Sequence, residues 1–260
     1  MVSHRDLVMY LVAVKSFYHR VGEGEIVIMD DGTLTDSDRE LLSGHLGQPH
    51  FLHVNQADTG SFPRGGCWER LVSIVAMLED YYVVQLDSDT LTRSALPEVL
   101  DCIQTNKSFT LGTQNGRQFV TLDQASNVAR NFQGEHVQTA AEKNLFWLPN
   151  AARRKYVRGS AGFAGFARGS DIRTMARDFS QSMSQLLGKK WMEWGSEQVT
   201  SNYLVANSPA AIVLPYPKYS CFDLNLTWQA ASFLHFIGTH RFARGVYARA
   251  SRAAIERNFS

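Results

Sequence analysis

The sequence predicts an α/β protein: a mostly parallel, mixed sheet flanked by helices on both faces. Three observations carry this. Short apolar runs alternate with amphipathic stretches along the chain, the order expected of strands joined by covering helices. The 260 residues suffice for one domain with a large core, and 44% hydrophobic with 20% charged is ordinary globular composition. Acidic pairs also stand directly after two apolar runs, at the strand ends where ligands of such sheets bind.

Taken in order, Asp6–Arg20 reads as a helix, with Leu7, Tyr10, Leu11, Val14, Phe17 and Tyr18 at helical spacing. Glu25–Met29 is a strand, followed by a turn at Asp30-Asp31-Gly32. Thr35-x-x-Asp38 is a capping-box pattern, with Asp in place of Glu, and opens a helix to about His45. Phe51–Val54 is a strand. Cys67–Leu78 is a helix with Trp68, Leu71, Val72, Val75 and Leu78 on one face. Tyr82–Leu86 is a buried-type strand that runs into Asp87-Ser88-Asp89.

Ser94 to about Thr105 is a helix that tolerates Pro97 in its first turn. Phe109–Gly112 is a strand and Asn115-Gly116 a turn. Asn131–Tyr156 is expected to be irregular, and Gly159–Gly169 is a run rich in Gly and Phe whose plain reading is a glycine-rich strand packed against a neighbour. Asp171–Leu187 and Glu197–Ala206 are helices, and Ala211–Leu214 and Phe233–Ile237 are strands. Arg241–Arg257 is a basic terminal helix, at most a peripheral membrane contact and otherwise a solvated face. No linker or repeat divides the chain. It is expected to be one domain of two halves, residues 1–125 and 126–260.

Formal net charge is +1, which provides no general field for nucleic acid. Cys67, Cys102 and Cys221 are odd in number and widely spaced, which argues against a disulfide scaffold or a zinc site and fits reduced thiols in the cytoplasm. No apolar run reaches the roughly 18 residues of a membrane span. His4, Arg5 and Asp6 stand where the apolar part of a signal peptide would begin.

Asp87-Ser88-Asp89 carries the chemistry. Carboxylates two residues apart on an extended chain face the same side, and hard oxygen ligands suit Mn²⁺ or Mg²⁺, which can hold a diphosphate. The tripeptide alone is weak evidence. Asp36-Ser37-Asp38 repeats its letters at a helix start, where Asp serves the cap and the dipole. Only the copy at 87–89 has a strand before it.

The segment Cys67–Thr90 resembles the glycogenin-like retaining glycosyltransferases of the GT-A fold, in which a helix opening with aromatic-x-Arg-Leu, an acidic turn and an apolar strand lead into D-x-D. Trp68-Glu69-Arg70-Leu71 and Glu79-Asp80 match that pattern. His235-Phe236-Ile237-Gly238-Thr239-His240-Arg241 resembles the family's H-x-x-G-x-x-K, with Arg for Lys and with Phe242-Ala243 where the family continues Pro-Trp. Glu197-Gln198-Val199-Thr200-Ser201-Asn202 is similar to its D-Q-x-x-x-N helix start.

The resemblance implies a metal held by Asp87, Asp89 and His235, with His240 as the competing ligand. It implies donor contacts from Asp30, Asp31, Arg70, Ser88, Gly238 and Arg241, and places Glu197 and Gln198 beside the sugar, facing the reacting carbon. Alternatives stay open: Asp30-Asp31 as a turn, Arg70 as a solvated helix residue, and Glu197 as a dipole residue behind a Ser196 cap. The resemblance further implies Mn²⁺ or Mg²⁺, a nucleoside-diphosphate sugar donor with uridine as the base, and a carbohydrate, lipid or protein acceptor. It also implies that the first strand is cut to residues within Met1–Ser3, so the chain is expected to begin late, as a fragment or from a misplaced start codon. Two other activities compete. A sugar-phosphate nucleotidylyltransferase would need a glycine-rich basic loop near the amino terminus, which is lacking. A non-catalytic nucleotide-sugar binder would retain the metal site alone.

Overall fold

The structure is a computed structural model that describes residues 1–169, 171–225 and 227–259. Val2 forms a single parallel bridge to Asp30, its N–H donating to the Met29 carbonyl at 2.8 Å and its carbonyl accepting from Asp31 N–H at 3.2 Å. Helix α1 (Leu7–Val21) follows and stops at Gly22, whose φ of +88° suits glycine. Strand β1 (Val27–Asp30) pairs in parallel with β2 (His50–His53). Between them α2 (Asp36–Leu46) starts at Thr35 with both capping-box bonds formed, as the sequence predicts.

Helix α3 (Trp68–Met77) leads to β3 (Val83–Leu86), and a tight crossing at 87–89 leads to β4 (Thr90–Thr92). Next come α4 (Pro97–Gln104), opened by Pro97, then β5 (Phe109–Gly112), β6 (Val120–Thr121) and α5 (Leu122–Ala129). The expected irregular stretch at 131–156 instead contains α6 (Val137–Asn144), a 3-10 turn (Leu145–Trp147) and β7 (Lys155–Tyr156), which pairs with β6. Val137, Ala141 and Leu145 recur every four residues and are fully buried, and the His136 ring accepts from Gln138 N–H as a cap. That three-residue apolar stripe is too sparse among polar neighbours to stand out in sequence.

The Gly/Phe run forms β8 (Gly159–Phe166), buried at every position. The main sheet has the order β3-β8-β5-β9, with β9 at Ile212–Val213. Strand β8 runs antiparallel to both neighbours, and β5 is parallel to β9. Its glycines make room: a Cβ at Gly165 would stand 2.3 Å from the Phe109 ring. Ala164 and Phe166 join the core under α3, α7 (Ile172–Leu187) and α8 (Ser196–Ala206), whereas Phe163 packs with Val99 and Cys102 of α4. Helices therefore cover both faces. A second sheet, β10-β11-β4, joins β10 (Tyr219–Cys221) in parallel and β4 antiparallel to β11 (Phe233–His235).

The terminal helix does not begin at Arg241. A 3-10 segment (Gly238–Gly245) breaks at Arg244, with φ of +51°, before α9 (Val246–Phe259). Arg249 and Arg252 are exposed on α9, and the side chain of Arg257 lies outside the described residues. Cys67, Cys102 and Cys221 are free thiols. Among the described residues no helix is long and apolar enough to cross a membrane.

Candidate active site

The site forms at the seam of the two sheets. Strand β3 delivers Asp87 at its end, and Asp87 N–H donates to the Gly162 carbonyl of β8 at 2.9 Å. Three residues later β4 begins at Thr90, and the β4–β11 register sets His235 opposite Thr90, beside Asp89. Phe236 N–H donates to the Asp89 carbonyl at 2.9 Å and closes the corner. Strand geometry thus joins residues almost 150 positions apart.

His235 Nε2 lies 3.0 Å from Asp89 Oδ1 and 3.9 Å from Asp87 Oδ2. One ligand atom from each of the three residues falls within 4.8 Å of the others, the one such group found among the described residues. His240 is elsewhere, with Nδ1 on the Phe222 carbonyl at 2.7 Å. Burial disfavours charge on His235, yet its hydrogen bond to Asp89 prevails and lifts its pKa to about 10. The imidazolium thereby places a positive charge between two carboxylates. Ser160 Oγ stands 2.9 Å from Nδ1. Were a cation to displace the Nε2 proton, a proton held at Nδ1 toward Ser160 would leave the Nε2 lone pair for the metal, the orientation usual for metal-binding histidines. This donor set fits a divalent cation bound by oxygen and imidazole.

Arg70, on the first turn of α3, reaches across the site. Its Nη1 donates to Asp87 Oδ1 at 2.5 Å, and its Nη2 lies 3.4 Å from Glu197 Oε1 on α8. It is a buried clamp between two carboxylates and not a solvated helix residue. Burial alone would raise the Asp87 pKa, but Arg70 and His235 outweigh it and hold that carboxyl below its ordinary value. Glu197 goes the other way, raised by burial with Arg70 opposing. Trp68 Nε1–H donates to Ser196 Oγ at 2.8 Å, which pins the start of α3 to the start of α8. Ser196 does not cap α8: its hydroxyl donates to the Glu193 carbonyl, and the capping position is Gly195.

Gln198 lies one residue further along α8, its Oε1 accepting from Ala161 N–H at 3.2 Å. Arg241 places Nη2 4.0 Å from Asp89 Oδ2, and its Nε donates to the carbonyl of Gly238, whose φ is +57°. Ser88 is half-buried in the crossing between the carboxylates. The acidic pair at the end of β1 has partners of its own. Asp30 is buried, ion-paired with Arg39, and accepts from Gly32 N–H. Asp31 accepts from Thr33 N–H and Oγ1. Both carboxylates are engaged in the turn.

Ser160 and Gly162 escape a reading of sequence alone. A Cβ at Gly162 would stand 2.1 Å from His235 Cε1, so only glycine admits the imidazole. The signal was the glycine spacing of the 159–166 run, which reports close approach but not by what.

No family model and no curated protein sequence matches the chain. Solved structures do. The chain is similar to galactosyltransferase LgtC, solved with donor and acceptor sugar analogs, at a TM-score of 0.56 and 15% identity over 100% of this chain and 95% of that one. An active-site mutant of LgtC gives 0.56 and 16%, covering 98% and 94%. The bifunctional glycosyltransferase WbbM in its apo form gives 0.55 and 14%, covering 100% of this chain and 51% of that one. With two sheets meeting at an Asp-x-Asp crossing and an overlap along the whole chain, the architecture is the GT-A fold of glycosyltransferases.

Proposed function

We propose that this chain is a metal-dependent glycosyltransferase that moves a sugar from a nucleoside-diphosphate sugar, a uridine one first, to a hydroxyl of a carbohydrate, lipid or protein, with retention. The observation that carries the reading is the convergence of Asp87, Asp89 and His235 at one strand end. These three residues would hold Mn²⁺ or Mg²⁺, which when bound neutralises charge on the departing diphosphate.

The chain's own residues account for the remainder. Arg241, with Gly238 behind it, brings a forked cationic donor to the same edge, suited to diphosphate oxygens. Arg70 holds Asp87 and Glu197 in fixed positions, so neither carboxylate needs to reorganise as charge develops. Gln198 faces the Ser160–Gly162 strand and offers an amide to the sugar side. Retention is supported by the state of Glu197. Inversion requires an accessible carboxylate base at the acceptor, whereas this carboxylate is buried and engaged by Arg70.

Calorimetry with UDP tests the donor site, using Mn²⁺ and then EDTA, on the native chain and on Asp89→Ala. The expected result is Mn²⁺-dependent binding that Asp89→Ala abolishes. Binding unchanged by EDTA or by the substitution would refute the metal-held donor. Product configuration by NMR then checks retention, and net inversion would remove it.

A further inference from the structure

The amide of Gln198 is held in a chain of hydrogen bonds whose direction is fixed at both ends. At one end the Ala161 backbone N–H donates to Gln198 Oε1 at 3.2 Å. A backbone N–H can only donate, so the carbonyl oxygen must face it. Gln198 Nε2 donates to Gln138 Oε1 at 3.2 Å, and Gln138 Nε2 donates to Glu142 Oε1 at 3.0 Å. Glu142 ends the chain as an acceptor: Tyr156 Oη donates to its Oε1 at 3.0 Å, and Arg158 is ion-paired with its Oε2.

Glu142 is only 2% exposed and Gln138 8%. Both stand on α6 one turn apart, Gln138 meeting Gln198 of α8 and Glu142 meeting Tyr156 of β7. Burial raises the Glu142 pKa, with Arg158 the leading opposing influence. Neither amide can rotate without setting a donor against a donor or an acceptor against an acceptor. Such a mismatch in a buried site costs far more than one average hydrogen bond contributes.

We infer that Gln138 and Glu142 are positioning residues that fix the direction of the Gln198 amide, so that its carbonyl oxygen is presented on the Ser160–Gly162 side of the site, where His235 and the D-x-D carboxylates converge. The inference rests on the transferase reading only for its catalytic consequence. The orientation itself follows from the hydrogen-bond chain.

The test uses the full chain labelled with ¹⁵N-glutamine, with the Gln198 side-chain amide assigned by its disappearance in Gln198→Ala. Gln138→Leu conserves bulk but cannot accept, and Glu142→Gln leaves the end of the chain free to face either way. Both variants should accelerate solvent exchange of the Gln198 amide at least about tenfold, with the backbone spectrum retained. Unchanged exchange in a folded variant overturns the inference.

With the sugar donor that the native chain turns over, Gln138→Leu should lower kcat about tenfold, the usual scale for losing a supporting partner, and leave the donor KM within about twofold. In a Gln198→Ala background it should add nothing, because its effect acts through that amide. Faster exchange with an unaltered kcat would overturn the positioning role. A native chain without turnover would instead refute the transferase reading, and amide exchange alone would then judge the hydrogen-bond chain.

Discussion

Gly162 and Arg70 show how single residues set the site. Gly162 leaves the space that the His235 ring occupies. Gly162→Ala should displace that ring and weaken Mn²⁺ affinity by roughly tenfold or more, the scale for disturbing a ligand's support. Titration with Mn²⁺ checks this, beside a circular dichroism spectrum that should remain native-like; unchanged affinity would mean that His235 is not a ligand. Arg70 is 12% exposed and holds two carboxylates together. Arg70→Met should cost about 3 kcal/mol in urea unfolding, because it leaves the buried Glu197 without its cation, while the half-buried Asp87 keeps His235 nearby. Arg70→Lys should recover little, since one ammonium cannot span both acids in the same geometry. Stability within error of the native chain for Arg70→Met would show that the clamp contributes nothing.

Among the elements, α2 starts with a capping box that the sequence predicts. Thr35 Oγ1 accepts from Asp38 N–H, and the Asp38 carboxylate accepts from Thr35 N–H and lies 2.7 Å from His4 Nδ1. Thr35→Ala should cost about 1 kcal/mol, measured by urea unfolding. The Thr35 backbone bond, followed by that to His4, holds the Asp38 pKa below its ordinary value of 3.8. The unfolded chain therefore binds more protons than the native one in this range, so stability rises with pH. The Asp38 contribution is present above about pH 3.8 and is lost as pH falls through the lower native value. Asp38→Asn should flatten that part of the acid limb in a series of urea titrations, and an unaltered limb would contradict the assignment. Helix α6 is the contrasting element. Its three-residue apolar stripe becomes visible only once α5, α7 and α8 surround it.

At the scale of the whole molecule, the two sheets meet around aromatic residues under the site. Phe163 on β8 stacks on Phe233 of β11 at 3.8 Å between ring centroids and is met by Phe109 at 5.0 Å and Phe17 at 5.7 Å. This ties the main sheet, the second sheet and α1 together next to Gly162. Phe163→Ala should cost about 3–5 kcal/mol in urea unfolding, and a loss well below about 1 kcal/mol would mean that the seam relaxes around the cavity. The same seam explains how β3 and β11 can hold a metal-type cluster at all: each brings its ligand to a strand end, and the packed rings keep those ends from sliding.

The sequence by itself determined the alternation of strands and helices, the capping box at Thr35, the strand in front of Asp87 and the glycine spacing of 159–166. Each of these is a local property, set by side-chain period, hydrogen-bonding groups within a few residues, or the absence of a Cβ. The grouping of Asp87, Asp89 and His235 was legible only through resemblance, because the distance between residues 89 and 235 is decided by the β4–β11 register. Tertiary structure alone decided that Arg70 bridges Asp87 and Glu197, that Asp30 turns to Arg39, that Ser160 orients His235, and that Gln138 and Glu142 direct Gln198. In each case the partner lies on another element, and no local pattern of residues encodes which buried donor will meet which acceptor.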